Sequence, residues 1–235
     1  MVVIVDRAVN PYLVLFHDPS SFRAEQIRSL RNRLVAMNPD GSSKSLVVTS
    51  AVRAEGKSVT AINLAIAFSE LERHRVLLVD GDMRTPAVEK YLNLNPQAGL
   101  ADLLLGNAGL EDVIRQAGIR NLSVLGAGQP VAGPSEILSA PRIDQLFARL
   151  KERFQYVIVD TPPALPATDA GVMAGRAEGT LLVLRLEHST RGHTREALRS
   201  LQDLGANVMG CFVTQERTLN PDADRRFSYG DGGAR

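Results

Sequence analysis

Tryptophan is absent and cysteine occurs once, at Cys211. A lone cysteine cannot close an intrachain disulfide, which excludes a disulfide-stapled scaffold and fits a reducing cytoplasm. Its neighbours form the apolar run Val208-Met209-Gly210-Cys211-Phe212-Val213, which predicts a buried thiol. Excess charge of one sign is also lacking: 27 Lys and Arg stand against 26 Asp and Glu. A net charge of +1 supplies no basic footprint for nucleic acid and no global pull towards anionic lipid. Long apolar runs are missing too, since 2–5 is broken at once by Asp6 and Arg7 and nothing approaches the ~20 residues of a bilayer span. Neither a signal peptide nor an anchor is expected, so work at a membrane would require another chain to bring the protein there.

What is present is an ordinary globular composition, 44% hydrophobic and 23% charged over 235 residues. It suits one large α/β domain with short appendages. The most informative stretch is 45–65. Ser45-Leu46-Val47-Val48-Thr49-Ser50 reads as a buried strand, Ala51-Val52-Arg53-Ala54-Glu55-Gly56-Lys57-Ser58 as a tight loop, and the residues from Val59 as a helix. The loop matches the phosphate-binding pattern G-x-x-x-x-G-K-[ST], except that Ala51 occupies the first Gly slot. Backbone N–H groups at a helix N-terminus can receive a polyphosphate, and the helix dipole favours its charge. Lys57 would reach the terminal phosphates and the Ser58 hydroxyl would hold Mg2+. The plainer alternative is a Gly-initiated helix with a solvated lysine.

Two later stretches bear on that choice. Val76-Leu77-Leu78-Val79 leads into Asp80-Gly81-Asp82-Met83-Arg84, and Tyr156-Val157-Ile158-Val159 leads into Asp160-Thr161-Pro162-Pro163. Continuous apolar runs mark parallel strands buried on both faces, and ligands of such sheets gather at the strands' carboxyl ends. Asp80 and Asp82 would emerge there, unless they simply form a turn and cap the next helix. Asp160, placed beside the loop strand, would hold Mg2+ through water, in a loop stiffened by two prolines.

Along the rest of the chain, 1–17 reads as an extended arm. Asp18 and Pro19 would open a helix to about Met37, as cap and first helical residue. Ile27, Leu30 and Leu34 form its apolar stripe. Glu25, Arg28 and Arg31 fall on the neighbouring face, which residue types alone assign to solvent. Further helices are expected at 57–71, 99–105, 110–116, 134–138, 142–153, 164–174 and 190–204. Strands are expected at 121–125, 180–184 and 207–213. The count gives a mostly parallel sheet with helices on both faces. Beyond Gln215 the polar composition, with Gly230, Gly232 and Gly233, predicts a flexible tail. The domain reading is therefore an N-terminal arm and helix at 1–40, a nucleotide-binding domain at 41–215 and a tail at 216–235.

Taken in order, the loop ending Glu55-Gly56-Lys57-Ser58, Asp80-x-Asp82-x-Arg84 and Asp160-Thr161-Pro162-Pro163 resemble the three motifs of the bacterial tyrosine kinases (BY-kinases). That family is a branch of the MinD/ParA-like P-loop ATPases, and the resemblance covers nearly the whole chain. It implies an ATP- and Mg2+-dependent tyrosine autokinase, with ATPase activity, that regulates exopolysaccharide or capsule assembly. It further implies a ring-shaped homo-oligomer, a membrane polysaccharide co-polymerase as activating partner, a cognate tyrosine phosphatase, and no nucleic acid. The protein would be cytoplasmic and recruited to the inner membrane face.

Carried over in the same way, Lys57, Asp80, Asp82 and Asp160 are the catalytic residues. Ala54, Glu55, Gly56, Lys57, Ser58, Val59 and Arg84 bind nucleotide, and Ser58, Asp80, Asp82 and Asp160 serve the metal. Glu25-x-x-Arg28-x-x-Arg31 resembles the family's oligomerisation helix, which reverses the solvent-face reading of that stripe. Gly99 to Gly106 and Pro134 to Leu138 also look like family segments. Three features depart from the pattern. Arg53-Ala54 replaces Pro-Gly, and a positive φ at that slot would cost Ala54 about 1 kcal/mol more than Gly. Thr214-Gln215 stands where relatives carry an adenine-reading Asn. The tail holds Tyr229 in place of a tyrosine cluster, which makes Tyr229 the candidate phosphoacceptor. A regulator of the same fold that binds or slowly hydrolyses ATP without using a tail tyrosine is the alternative. A positioning ATPase fits less well, because Val52 occupies the signature-lysine position of those relatives.

Overall fold

The computed structural model describes residues 9–138 and 141–215. Its strands are β1 (Lys44–Ser50), β2 (Val76–Asp80), β3 (Ile114–Gln116), β4 (Leu122–Leu125), β5 (Tyr156–Asp160), β6 (Gly179–Arg185) and β7 (Val208–Thr214). They form one sheet in the order β3-β4-β2-β5-β1-β6-β7, parallel throughout except for β3. β2 and β5 are buried along their whole length, as continuous apolar runs require when both faces are covered.

The helices are α1 (Val14–His17), α2 (Phe22–Ala36), α3 (Lys57–Ser69), α4 (Val88–Tyr91), α5 (Leu100–Leu105), α6 (Leu110–Val113), α7 (Pro134–Leu138), α8 (Arg142–Arg153), α9 (Asp169–Ala174) and α10 (Arg191–Asp203). They build a core on each face of the sheet. Ile62, Phe68, Ile27 and Leu13 pack over Val48, Leu78 and Ile158 on one side. Leu100, Ile143, Leu150 and Leu201 pack over Val47, Leu77 and Val157 on the other. The mostly parallel α/β sheet with helices on both faces is thus the observed architecture. Among the described residues, no helix is long and apolar enough to cross a membrane.

Several local expectations are corrected. Within the described part of the expected arm, Val14–His17 is helical, and Val9, Leu13 and Leu15 are buried in the α2–α3 core. Ser21, not Asp18, caps α2: its hydroxyl accepts the Ala24 N–H at 3.2 Å, while the Asp18 carbonyl turns back to the Ser21 N–H. The expected helix at 110–116 stops at Val113 because Ile114–Gln116 pairs antiparallel with β4, a non-local contact that periodicity cannot see. Residues 164–168 are not helical, since the N–H groups of Ala164 and Leu165 donate to Ser50 and Ala51 and Pro166 has none to give. Cys211 is exposed, because β7 is an edge strand whose apolar residues are only half covered. The tail and Tyr229 lie outside the described residues.

Candidate active site

β1 sits between β5 and β6, and β5 between β1 and β2, so the carboxyl ends of β1, β2 and β5 are adjacent. Val48 and Asp80 are both register partners of Asp160. Gly81 makes that approach possible: its N–H donates to the Asp160 carbonyl at 2.7 Å, and a Cβ there would stand 2.8 Å from the same oxygen.

The loop from β1 to α3 is held in a defined shape. Ala54 has φ 64° and Gly56 φ 93°, so both are left-handed, and the slot at Ala54 does need a positive φ. Gly56 serves as N-cap of α3, and a side chain there would also press on Thr214. Glu55 is completely buried; its carboxylate accepts the Val52 N–H at 2.9 Å and the Ser189 hydroxyl. Its side chain therefore shapes the loop from behind. Val59, at the third position of α3, is half-buried.

In the cleft, Lys57 Nζ lies 3.1 Å from Asp82 Oδ2 and 3.7 Å from Asp160 Oδ1, and donates to Ser58 Oγ at 3.1 Å. Burial pushes Lys57 down, but Asp160 and Asp82 outweigh it and leave the ammonium above its ordinary range. Burial raises the Asp160 carboxyl, an effect Lys57 opposes. Both Asp160 oxygens are buried without a hydrogen-bond acceptor role filled. Such oxygens invite a cation. Ser58 and Asp160 therefore fit an ion such as Mg2+, which binds through one or two carboxylates and takes its remaining ligands from phosphate and water.

Not every expected ligand joins them. Among the described residues, no three His, Cys, Asp or Glu side chains form a ready-made metal cage. Asp80 is committed elsewhere: Oδ1 accepts the Asp82 N–H at 3.1 Å and Oδ2 accepts the Ala87 and Val88 N–H groups at 2.9 Å each. The turn-and-cap role weighed against catalysis is thus a real part of what Asp80 does. Burial and the neighbouring Asp160 carboxylate raise its pKa. Asp82 combines both roles, since Oδ1 accepts the Thr85 N–H at 2.9 Å while Oδ2 faces Lys57. Arg84 turns away from Lys57, to Asp169 at 2.7 Å and to Ser135 at 3.0 Å.

Away from the cleft, Arg28 grips Glu70 with two hydrogen bonds of 2.9 and 2.7 Å and reaches Glu25 at 2.5 Å. Arg31 is buried and donates to the Ala67 carbonyl at 2.9 Å and to Glu70 at 3.1 Å. Glu25 is exposed. The sequence reading missed Glu70, and it missed Arg185, His188 and Ser189, which reach the phosphate-binding loop from the end of β6 and the turn after it. Ordinary surface residue types with no motif spacing gave no signal for any of them.

A family model described as an AAA domain matches residues 49–195, from the end of β1 into α10. The chain is 29% identical over 224 residues to the putative tyrosine-protein kinase CapB of Staphylococcus aureus, covering 95% of this chain and 96% of that one. With the tyrosine-protein kinase YwqD of Bacillus subtilis it shares 30% over 205 residues, covering 87% and 86%. The chain belongs to the bacterial tyrosine kinases. Among longer members, it spans 29% of the putative tyrosine-protein kinase EpsB of Ralstonia solanacearum, at 34% identity. The kinase domain of the Escherichia coli tyrosine kinase ETK superposes with a TM-score of 0.83 at 28% identity, covering 92% of this chain and 85% of that one.

Proposed function

We propose that the protein is an ATP-dependent tyrosine autokinase that regulates exopolysaccharide or capsule polymerisation and export with a membrane co-polymerase partner. The observation that carries the reading is Lys57 set between Asp82 and Asp160 at the mouth of the loop, with the buried Asp160 carboxylate facing Lys57 at 3.7 Å but accepting no hydrogen bond. Phosphoryl transfer asks the protein mainly for positioning and charge neutralisation. Loop amides and Lys57 receive the ATP phosphates, and Ser58 and Asp160 would hold Mg2+, which supplies further neutralisation when bound. Asp82 is placed to take the phenol proton as the tyrosine oxygen bonds to the γ-phosphorus and the bond to the ADP oxygen breaks. Asp80 supports the metal and the incoming hydroxyl by fixing the loop that carries Asp82. Arg84, joined to Asp169, acts at the rim of the nucleotide site.

The acceptor proposed is Tyr229, in a ring of copies joined through Glu25, Arg28 and Arg31. Of the other tyrosines, Tyr156 is buried, Tyr91 half-buried and Tyr12 exposed. Tail phosphorylation is then reversed by a cognate phosphatase, and the membrane partner recruits the protein. A second reading, a non-kinase ATP-binding regulator, is favoured by the presence of one tyrosine in 216–235. Incubating the purified protein with MgATP separates the two by phosphotyrosine mass spectrometry. Phosphate lost in Tyr229→Phe but kept in Tyr12→Phe supports the kinase, and ATP turnover without phosphotyrosine supports the regulator.

A further inference from the structure

The turn between β6 and α10 lies against the outer side of the phosphate-binding loop. Ala54 is left-handed at φ 64° and exposed, so its own side chain gives that conformation no support, and a Cβ disfavours it. Successive carbonyls of the loop, however, are all held from outside. His188 Nε2 lies 3.0 Å from the Arg53 carbonyl oxygen, Arg185 Nη1 donates to Ala54 O at 2.9 Å, and Thr214 Oγ1 donates to Glu55 O at 2.9 Å. Arg185 is braced in turn by Gln215, whose Oε1 accepts its Nε–H at 2.5 Å. Carbonyls drawn outward leave the amide N–H groups of the same peptides to face the cleft, the arrangement an anion-binding nest needs.

We infer that Arg185 and His188 are positioning residues for nucleotide binding, which hold Ala54 left-handed by gripping the carbonyls of Ala54 and Arg53. The inference rests on the reading of this cleft as the MgATP site. Without the grip, the strain at Ala54 drives the loop towards conformations that cannot bind, and affinity falls by the fraction that remains competent. Relieving the strain must then make the grip dispensable, which a general structural role would not do.

The test is calorimetric titration of MgATP into wild type, Arg185→Met, His188→Ala, Ala54→Gly and the double variant Arg185→Met/Ala54→Gly, with unfolding temperature measured without nucleotide. Losing the charged hydrogen bond of Arg185 should weaken MgATP about tenfold, and losing His188 about threefold, with unfolding little changed. Against Ala54→Gly as its own reference, the double variant should lose no more than about twofold in affinity, whatever the affinity of Ala54→Gly itself. Equal losses with and without Ala54→Gly, or no loss on replacing Arg185 and His188, overturn the inference while leaving the site intact. A wild type that does not bind MgATP overturns the site reading and the inference together.

Discussion

Lys57 stands between two buried carboxylates, 3.1 Å from one and 3.7 Å from the other, and its chemistry follows from that company. An ammonium held charged in a cleft can neutralise phosphate, whereas methionine of similar length cannot. Lys57→Met should lower ATP turnover by about a hundredfold or more, the scale of losing one charged group aimed at a transition state. Circular dichroism should show the fold retained, because the lysine packs at the cleft and contributes little to either core. Turnover within a few-fold of wild type would remove Lys57 from the chemistry. Asp160→Asn should raise the Mg2+ concentration needed for half-maximal turnover, while an unchanged Mg2+ requirement would take away its metal role. Asp160 was legible because it closes an apolar strand, and Lys57 because Gly56-Lys57-Ser58 fits the phosphate-binding pattern. Asp80 shows the limit of that logic: its place at a strand end was clear, but its three backbone partners come from a loop whose path no spacing reveals.

At the scale of elements, β1, β2 and β5 were readable as buried parallel strands, because a strand covered on both faces must be apolar throughout. Short pieces set by partners were not: β3 exists through three pairs with β4, and α2 begins just after Ser21 because a hydroxyl there meets the Ala24 N–H. The charged stripe of α2 shows the same division. Its residue types pointed to solvent and its resemblance to the family's oligomerisation helix to a neighbouring subunit, yet Arg28 and Arg31 converge on Glu70, one residue past the end of α3. That contact ties the proposed interface helix to the helix whose other end opens at Lys57. Arg31→Ala should therefore destabilise the protein by about 1–3 kcal/mol, since the Ala67 carbonyl loses a partner in a buried setting. Glu25→Arg, at an exposed position, should change stability by less than about 0.5 kcal/mol. If the stripe also joins copies, Glu25→Arg should nevertheless shift sedimentation towards smaller species. An unchanged mass distribution in an oligomerising wild type would leave α2 with its internal role alone.

For the whole molecule, the question is how a tyrosine reaches a cleft built from the ends of β1, β2 and β5. Tyr156 begins β5 and is buried against Phe68, so the sheet itself keeps it from the opposite, carboxyl end. Tyr229 follows β7 by 15 positions, beyond Thr214. A phenol with a pKa near 10, about the usual value, needs a base within hydrogen-bond reach of its proton, and Asp82 is the base proposed for it. If copies form a ring, the tail of one can serve the cleft of the next. Mixing a Lys57→Met chain, which keeps Tyr229 but lacks its own chemistry, with a Tyr229→Phe chain, which keeps the chemistry but lacks the acceptor, isolates that step. Transfer between copies puts phosphate on the Lys57→Met chain, at a rate that rises with the concentration of its partner. Transfer within a copy leaves both chains unmodified at Tyr229 although wild type alone is phosphorylated there. Each phosphate adds about two negative charges to a tail. A subunit so modified should leave the assembly less readily than one carrying several, and light scattering before and after incubation with MgATP measures that loss directly.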